Sequence, residues 1–234
     1  MTDLDVKEFF NCYWKHKHLR RFDSYYSFLG VINKNILEII SQGEYKKILL
    51  IGMGSTPDNN FFRLLDGEKV CIDVSMDGLK GIKDFQKVQM DAQQMGFKAG
   101  SFDLVFLRTV LLHLDHKKTI LEIKKMLRKN GCFFWVEPLK NNLFLWIYRC
   151  VVSPGRWTRT AYLTSEAIEE YGKVFAHVWH REYFLLTVLL LPIYIILPRL
   201  RKCIHIIQRG EMHIIDRFCW LRKLCWISYG FGRS

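Results

Sequence analysis

Two glycines, Gly52 and Gly54, close the apolar run "KKILLI" and are followed by Thr56, Pro57 and Asp58, residues that open a helix. Glycines at the carboxyl end of a first strand let the backbone approach a ligand, and in an open parallel sheet ligands bind in the crevice beyond the strand ends. The neighbours of this turn narrow its chemistry. A pyrophosphate turn needs a third glycine three residues after Gly54, where Pro57 stands, and Asp58 adds a negative charge at the helix start. Pro57 removes a backbone donor and Asp58 repels an anion, so a nicotinamide dinucleotide fits poorly. No glycine-lysine-serine/threonine sequence follows for a Walker-type phosphate site. Asp73 ends the second apolar run, about twenty residues past the glycines, where a carboxylate accepts from vicinal ribose hydroxyls. The expected ligand is a nucleoside without a pyrophosphate.

The elements that must hold these residues read as an α/β alternation. "KILLI" (Lys47 to Ile51), "KVCIDV" (Lys69 to Val74), "FDLVFL" (Phe102 to Leu107) and "CFFWVE" (Cys132 to Glu137) are short apolar runs suited to a buried parallel sheet. Helical stretches lie between them at Asn59 to Leu65, Met76 to Lys83 and "HKKTILEIKKMLRKNG", which Gly131 is expected to cap. Before the first strand, Phe28, Val31, Ile32, Ile36, Ile39 and Ile40 recur near helical spacing, predicting one amphipathic helix over 24–41. Thr164 is an N-cap candidate, a sixth strand is expected near Ala176 to Phe184, and a seventh near Cys225 to Phe231. The fold class expected is a Rossmann-like, doubly wound, seven-stranded sheet, mostly parallel with an antiparallel last strand and helices on both faces. The division expected is a helical cap over 1–45, the α/β core over 46–184, an apolar and basic insertion over 185–224, and the last core strand over 225–234. Asp103, in "SFDLV", is expected to fix strand entry rather than touch substrate.

In this order, "ILLIGMG", "VCIDVS", "VQMDAQQMGF", "SFDLVFLRTVLLHL" and "LRKNGCFFWVEP" resemble the class I S-adenosylmethionine-dependent methyltransferases, over roughly Lys46 to Pro138. The resemblance implies S-adenosyl-L-methionine as cofactor. It puts Gly52, Met53 and Gly54 against the aminoacyl and ribose parts, and Asp73 on the ribose hydroxyls. It also sets Val74 on the adenine face, Asp91 and the Ala92 backbone at the adenine edge, and Arg108 in the pocket lining. Two positions depart from the pattern: Leu50 stands where an acid is common before the glycines, and Thr56 replaces the third glycine. Methyl transfer is an in-line displacement that needs a base only for a hydroxyl or carbon-acid acceptor. His113, six residues past the fourth strand, and Glu137, at the end of the fifth, are the candidate catalytic residues.

The remaining features concern the acceptor. A net charge of +12 calls for an anionic partner, and the basic residues gather in "KHKHLRR" and from Arg199 onward. His16 and His18 belong to the first of these clusters and are expected at the surface. The second cluster follows "FLLTVLLLPIYIILP", Phe184 to Pro198, an uncharged run below the roughly twenty residues that span a bilayer. It is either a core helix or a segment lying in a membrane interface, and 184–202 is the expected contact with an anionic membrane. Phe144, Trp146, Ile147 and Tyr148, with Arg149, Arg156 and Arg159 nearby, would suit an amphiphile carrying phosphate. Sequence after Pro138 is similar to the ubiquinone-biosynthesis branch of the family, implying a small-molecule, lipid-linked or isoprenoid acceptor. An RNA methyltransferase, favoured by charge alone, and a catalytically degenerate binding protein, suggested by Leu50 and Thr56, stay open as alternatives. The acidic N-terminus has no readable secretory signal, and seven scattered cysteines without a CxxC pair argue against disulfides and a zinc site. A cytoplasmic protein, peripheral on the inner face of a membrane, is expected.

Overall fold

The computed structural model describes residues 20–54, 56, 58–152 and 160–234. Seven strands form one sheet: β1 (Lys47–Ile51), β2 (Glu68–Asp73), β3 (Gln86–Gln89), β4 (Phe102–Arg108), β5 (Leu127–Pro138), β6 (His177–Tyr183) and β7 (Ile227–Arg233). Their order is β3-β2-β1-β4-β5-β7-β6, and β7 runs antiparallel to both neighbours while β1 to β5 pair in parallel. The first strand is apolar from Ile48 to Ile51 because both of its faces are covered there. Ile48 and Leu50 enter one core, whereas Leu49 and Ile51 enter the other.

On the Leu50 face pack α1 (Arg20–Phe28), α2 (Gly30–Ser41), α3 (Asp58–Leu64) and α4 (Met76–Lys80), through residues such as Phe28, Ile36, Phe62 and Leu79. The other face is covered by α5 (His116–Met126) and α7 (Ser165–Gly172), which bury Ile123 and Ile168. After β5 the chain forms α6 (Leu143–Val152). The chain between β6 and β7 forms α8 (Leu191–Ile196), α9 (Arg201–Arg217) and flanking 3-10 turns. Tyr194 of α8, fully buried, is hydrogen-bonded to Ser27 of α1 at 2.7 Å and to His205 Nε2 of α9 at 3.0 Å. The segment between β6 and β7 is thereby fastened to α1.

Several expectations shift. The single helix over 24–41 is two helices interrupted at Leu29. Gly131 caps no helix: α5 ends at Met126, Leu127 is already extended, and the tight turn is made by Asn130 at φ 64°. A Cβ at Gly131 would lie 3.0 Å from the Arg128 carbonyl oxygen and 3.2 Å from that of Phe102, so close backbone packing explains the glycine. Strand β3 has no apolar run to announce it, because it lies at the sheet edge with most of its side chains exposed. Asp103 does hold strand entry: its Oδ2 accepts from the amides of Lys46 and Lys47 at 2.5 and 2.9 Å, and its Oδ1 meets Arg128 at 2.6 Å.

Candidate functional site

The carboxyl ends of β1, β2 and β4 converge on the glycine turn. Gly52 and Gly54 both take positive φ, 63° and 49°, which only glycine adopts without strain. A side chain at Gly52 would also strike Val110, whose Cγ2 lies 2.5 Å from an added Cβ. The turn is locked from the helix side, where Asn59 Nδ2 donates to the Gly54 carbonyl at 2.9 Å. Met53 belongs to the turn by its backbone alone, since its side chain is sealed in the core.

Asp73 stands beside this turn at the end of β2, buried, with Oδ1 accepting from the Ser75 amide at 2.8 Å. Burial pushes its carboxyl up to about 6, so ligand hydroxyls donating to it would favour the charged form. Val74 follows half-buried, its carbonyl taking the Gln89 side-chain amide at 2.9 Å. Asp91 is half-buried and turned onto Gln93, whose amide donates to Oδ1 at 2.8 Å; Ala92 is buried next to it. Gln93 Oε1 then accepts from the Asp115 amide at 3.0 Å, tying this loop to the start of α5.

Arg108 differs from expectation. Its guanidinium turns back onto Asp58, Nε to Oδ2 2.8 Å, with the two side chains 4% and 7% exposed, and it lies over the rings of Tyr26 and Phe106. It therefore neutralises the charge that Asp58 places at the start of α3, and it is not an open lining residue. Burial raises the Asp58 carboxyl and the Arg108 charge opposes that rise. Tyr26 of α1 also approaches Asp58 and Thr56, and burial followed by the Asp58 charge raises its hydroxyl. Sequence reasoning missed this cluster, although Asp58 follows β1 and Arg108 ends the neighbouring β4. That adjacency in the sheet order was the signal for it.

Glu137 is fully buried, and its Oε1 accepts from the amides of Val110 and Leu111 at 2.7 and 3.0 Å. Burial, only partly offset by these bonds, pushes it up to about 7. Glu137, a catalytic candidate from the sequence, thus fixes the loop after β4 against the glycine turn. His113 lies half-buried in the one-turn 3-10 helix Leu111–His113, on that same loop. Arg149 is likewise engaged, donating to the Leu139 carbonyl at 3.1 Å and stacking on Tyr162 at 3.8 Å. Arg156, Arg159, His16 and His18 lie outside the described residues.

The residues present fit an adenosyl sulfonium ligand. Two glycines open the turn, a buried carboxylate ends β2, a second acid lies at Asp91, and the turn itself presents no unpaired cation among the described residues. Residues 49–135 match the methyltransferase domain family. Solved structures share the fold at low identity. An S-adenosylmethionine-dependent methyltransferase from Archaeoglobus fulgidus is 14% identical, with TM-score 0.58 over 88% of this chain and 94% of that one. The PH0226 protein from Pyrococcus horikoshii is 11% identical, with TM-score 0.59 over 90% and 91%. A phosphoethanolamine N-methyltransferase 2 from Haemonchus contortus, solved with S-adenosyl-L-methionine, is 16% identical, with TM-score 0.59 over 86% of this chain and 52% of its own. No curated protein matches the chain in sequence.

Proposed function

We propose that this chain, in which residues 49–135 match a methyltransferase domain and the fold is that of S-adenosylmethionine-dependent methyltransferases, transfers a methyl group to an amphiphilic acceptor, lipid-linked or isoprenoid, at a membrane surface. The single observation that carries this reading is the apolar surface on the elements following β5. Leu143, Trp146, Ile147 and Tyr148 of α6 stand about half exposed, as do Leu189 and Ile193 beyond β6, and Ile196 there is more exposed still. Asn142 joins the two stretches: its Nδ2 donates to the carbonyls of Phe184, Leu185 and Leu224. Exposed apolar area on this scale marks an interaction surface.

In the crevice, Asp73 would accept from the ribose hydroxyls, Asp91 and the Ala92 backbone would meet the adenine edge, and the glycine turn would admit the aminoacyl part. Held by these residues, S-adenosyl-L-methionine would supply a methyl group activated on a sulfonium, open to in-line attack at carbon by an acceptor nucleophile, with the thioether as leaving group. The chain's share is to exclude water and orient the acceptor. His113 is the group on the loop after β4 suited to remove an acceptor proton, while Glu137 sets that loop's position.

Incubation with methyl-labelled S-adenosyl-L-methionine and, separately, membrane lipid extract or total RNA tests the reading. Label entering the organic phase supports it. Label in RNA replaces it with the RNA reading. Absence of cofactor binding by calorimetry promotes the degenerate binding protein, for which Leu50 and Thr56 are the motivation.

A further inference from the structure

Helix α9 carries two apolar stripes and only one of them is covered. At about 100° per residue, Ile204, Met212 and Ile215, buried in the core, share one side with Gln208 and Glu211. Glu211 is consumed inside the molecule, accepting from the amides of Leu185, Leu186 and Thr187 and from the Thr187 hydroxyl. On the same helical wheel Ile207 and Ile214 fall roughly 85–105° from the middle of that side, and Ile206 lies nearly opposite it. They are 60%, 51% and 53% exposed, and a Cβ added at Gly210 between them would meet nothing within 4 Å.

The wheel sets Lys202, Arg209 and His213 along the Ile206 edge of that outer stripe, with Arg217 at its last turn just inside that edge, and all four are exposed. The acids of α9 do not balance them. Glu211 faces inward as described, and Asp216 is paired with Arg181 and Arg222. A helix of 17 residues bearing an uncovered apolar stripe edged by cations is the arrangement that lies in the plane of a bilayer, apolar side in the acyl boundary and cations at the phosphates. It does not cross one: among the described residues no helix is long and apolar enough to span a membrane.

We infer that the outer face of α9 docks this enzyme flat on an anionic lipid bilayer, through Ile206, Ile207 and Ile214 and the basic edge of Lys202, Arg209 and Arg217. This rests on the membrane part of the proposed function and locates it on a helix that starts at the end of the 184–202 run and continues past it. The charge pattern favours lipid over a second copy of the chain, because two such faces would oppose like charges across the contact.

Vesicle co-sedimentation tests the inference with phosphatidylcholine alone and with phosphatidylcholine containing phosphatidylglycerol. The parent protein is expected to bind the anionic vesicles about a hundredfold more tightly, at about fivefold for each of the three cations, and to bind less as salt rises. Ile206→Asp with Ile207→Asp should abolish binding to both vesicle types. Lys202→Ser with Arg209→Ser should lower only the anionic preference, by roughly 25-fold at about fivefold per cation. All these positions are exposed, so circular dichroism and cofactor calorimetry should match the parent. A parent that ignores anionic vesicles overturns the inference, and so do vesicle affinities unchanged in the isoleucine variant. So does a dimer, in light scattering, that the isoleucine variant dissociates, since that assigns the stripe to a second copy. Intact cofactor binding in any of these outcomes leaves the methyltransferase assignment standing, whereas loss of cofactor binding by the parent protein is the separate failure.

Discussion

Arg108 and Asp58 form a buried ion pair at the glycine turn, and breaking it from one side should destabilise the whole domain. Arg108→Met leaves the Asp58 carboxylate 7% exposed and without its cation. Removing one partner of a buried pair typically costs about 3–5 kcal/mol, because the other charge stays desolvated. For a chain of 234 residues, roughly 2–4 °C of melting temperature accompanies each kcal/mol, which gives a fall of about 6–20 °C. The deficit also has a pH signature. Burial already raises the Asp58 carboxyl, and loss of Arg108 raises it further. A carboxyl raised by folding penalises the native state more as pH climbs through its folded pKa, so the variant should recover stability relative to the parent toward acid pH. Asp58→Asn alone should also destabilise, by stranding the guanidinium. The double variant Asp58→Asn/Arg108→Met should be markedly more stable than the sum of the single losses predicts, by about 2–3 kcal/mol of coupling. Thermal unfolding followed by circular dichroism at several pH values is the assay. Single variants within about 1 kcal/mol of the parent, or losses that simply add, would refute the view that this pair is a desolvated unit.

Three further outcomes follow from the same site. Asp73→Ala should weaken S-adenosyl-L-methionine binding by ~1–3 kcal/mol in calorimetry; in the parent, affinity should fall as pH drops through about 6, where the carboxyl protonates and stops accepting from hydroxyls. His113→Ala should slow turnover about a hundredfold with cofactor affinity unchanged if it takes the acceptor proton; single-turnover assays with labelled cofactor check this, and unchanged turnover assigns His113 to packing. Glu137, lifted from 4.5 to about 7 by burial, should cost the parent stability as pH rises through that window; in denaturant titrations Glu137→Gln should remove the dependence while keeping the loop anchored, and Glu137→Ala should lose the anchor.

The sheet was legible in sequence wherever a strand is buried on both faces. Ile48 to Ile51 and Phe102 to Leu107 announce themselves by unbroken apolar character, and their order fixes which strand ends meet. Gln86 to Gln89 could not be found this way, because an edge strand of mostly exposed side chains carries no such signal. The glycine turn and Asp73 were legible for a related reason: each stands at a strand end, where the residue type alone limits the backbone or the ligand. What failed was the direction of side chains. Glu137 and Arg108 occupy strand ends on the crevice side, yet one turns to the amides of Val110 and Leu111 and the other to Asp58. Those partners are 26 and 27 residues away for Glu137, and nothing local to either residue specifies them.

The segment from Phe184 to Lys202 was posed as a choice between core and membrane, and the structure divides it residue by residue. Thr187, Val188 and Tyr194 are buried, whereas Leu189, Ile193, Ile196 and Leu197 are exposed. The run breaks into short helices and 3-10 turns, so no one periodicity covers it and a linear reading cannot sort its faces. Helix α9 hides the opposite way. Its apolar residues are interleaved with Lys202, Arg209 and Arg217, which dilutes any average along the chain. Its outer stripe becomes visible once Ile204, Met212 and Ile215 are known to face the core, because Ile206, Ile207 and Ile214 then have nowhere to go but outward. An apolar run in sequence is therefore weaker evidence for a lipid-facing surface than an apolar stripe left over after the core has been filled.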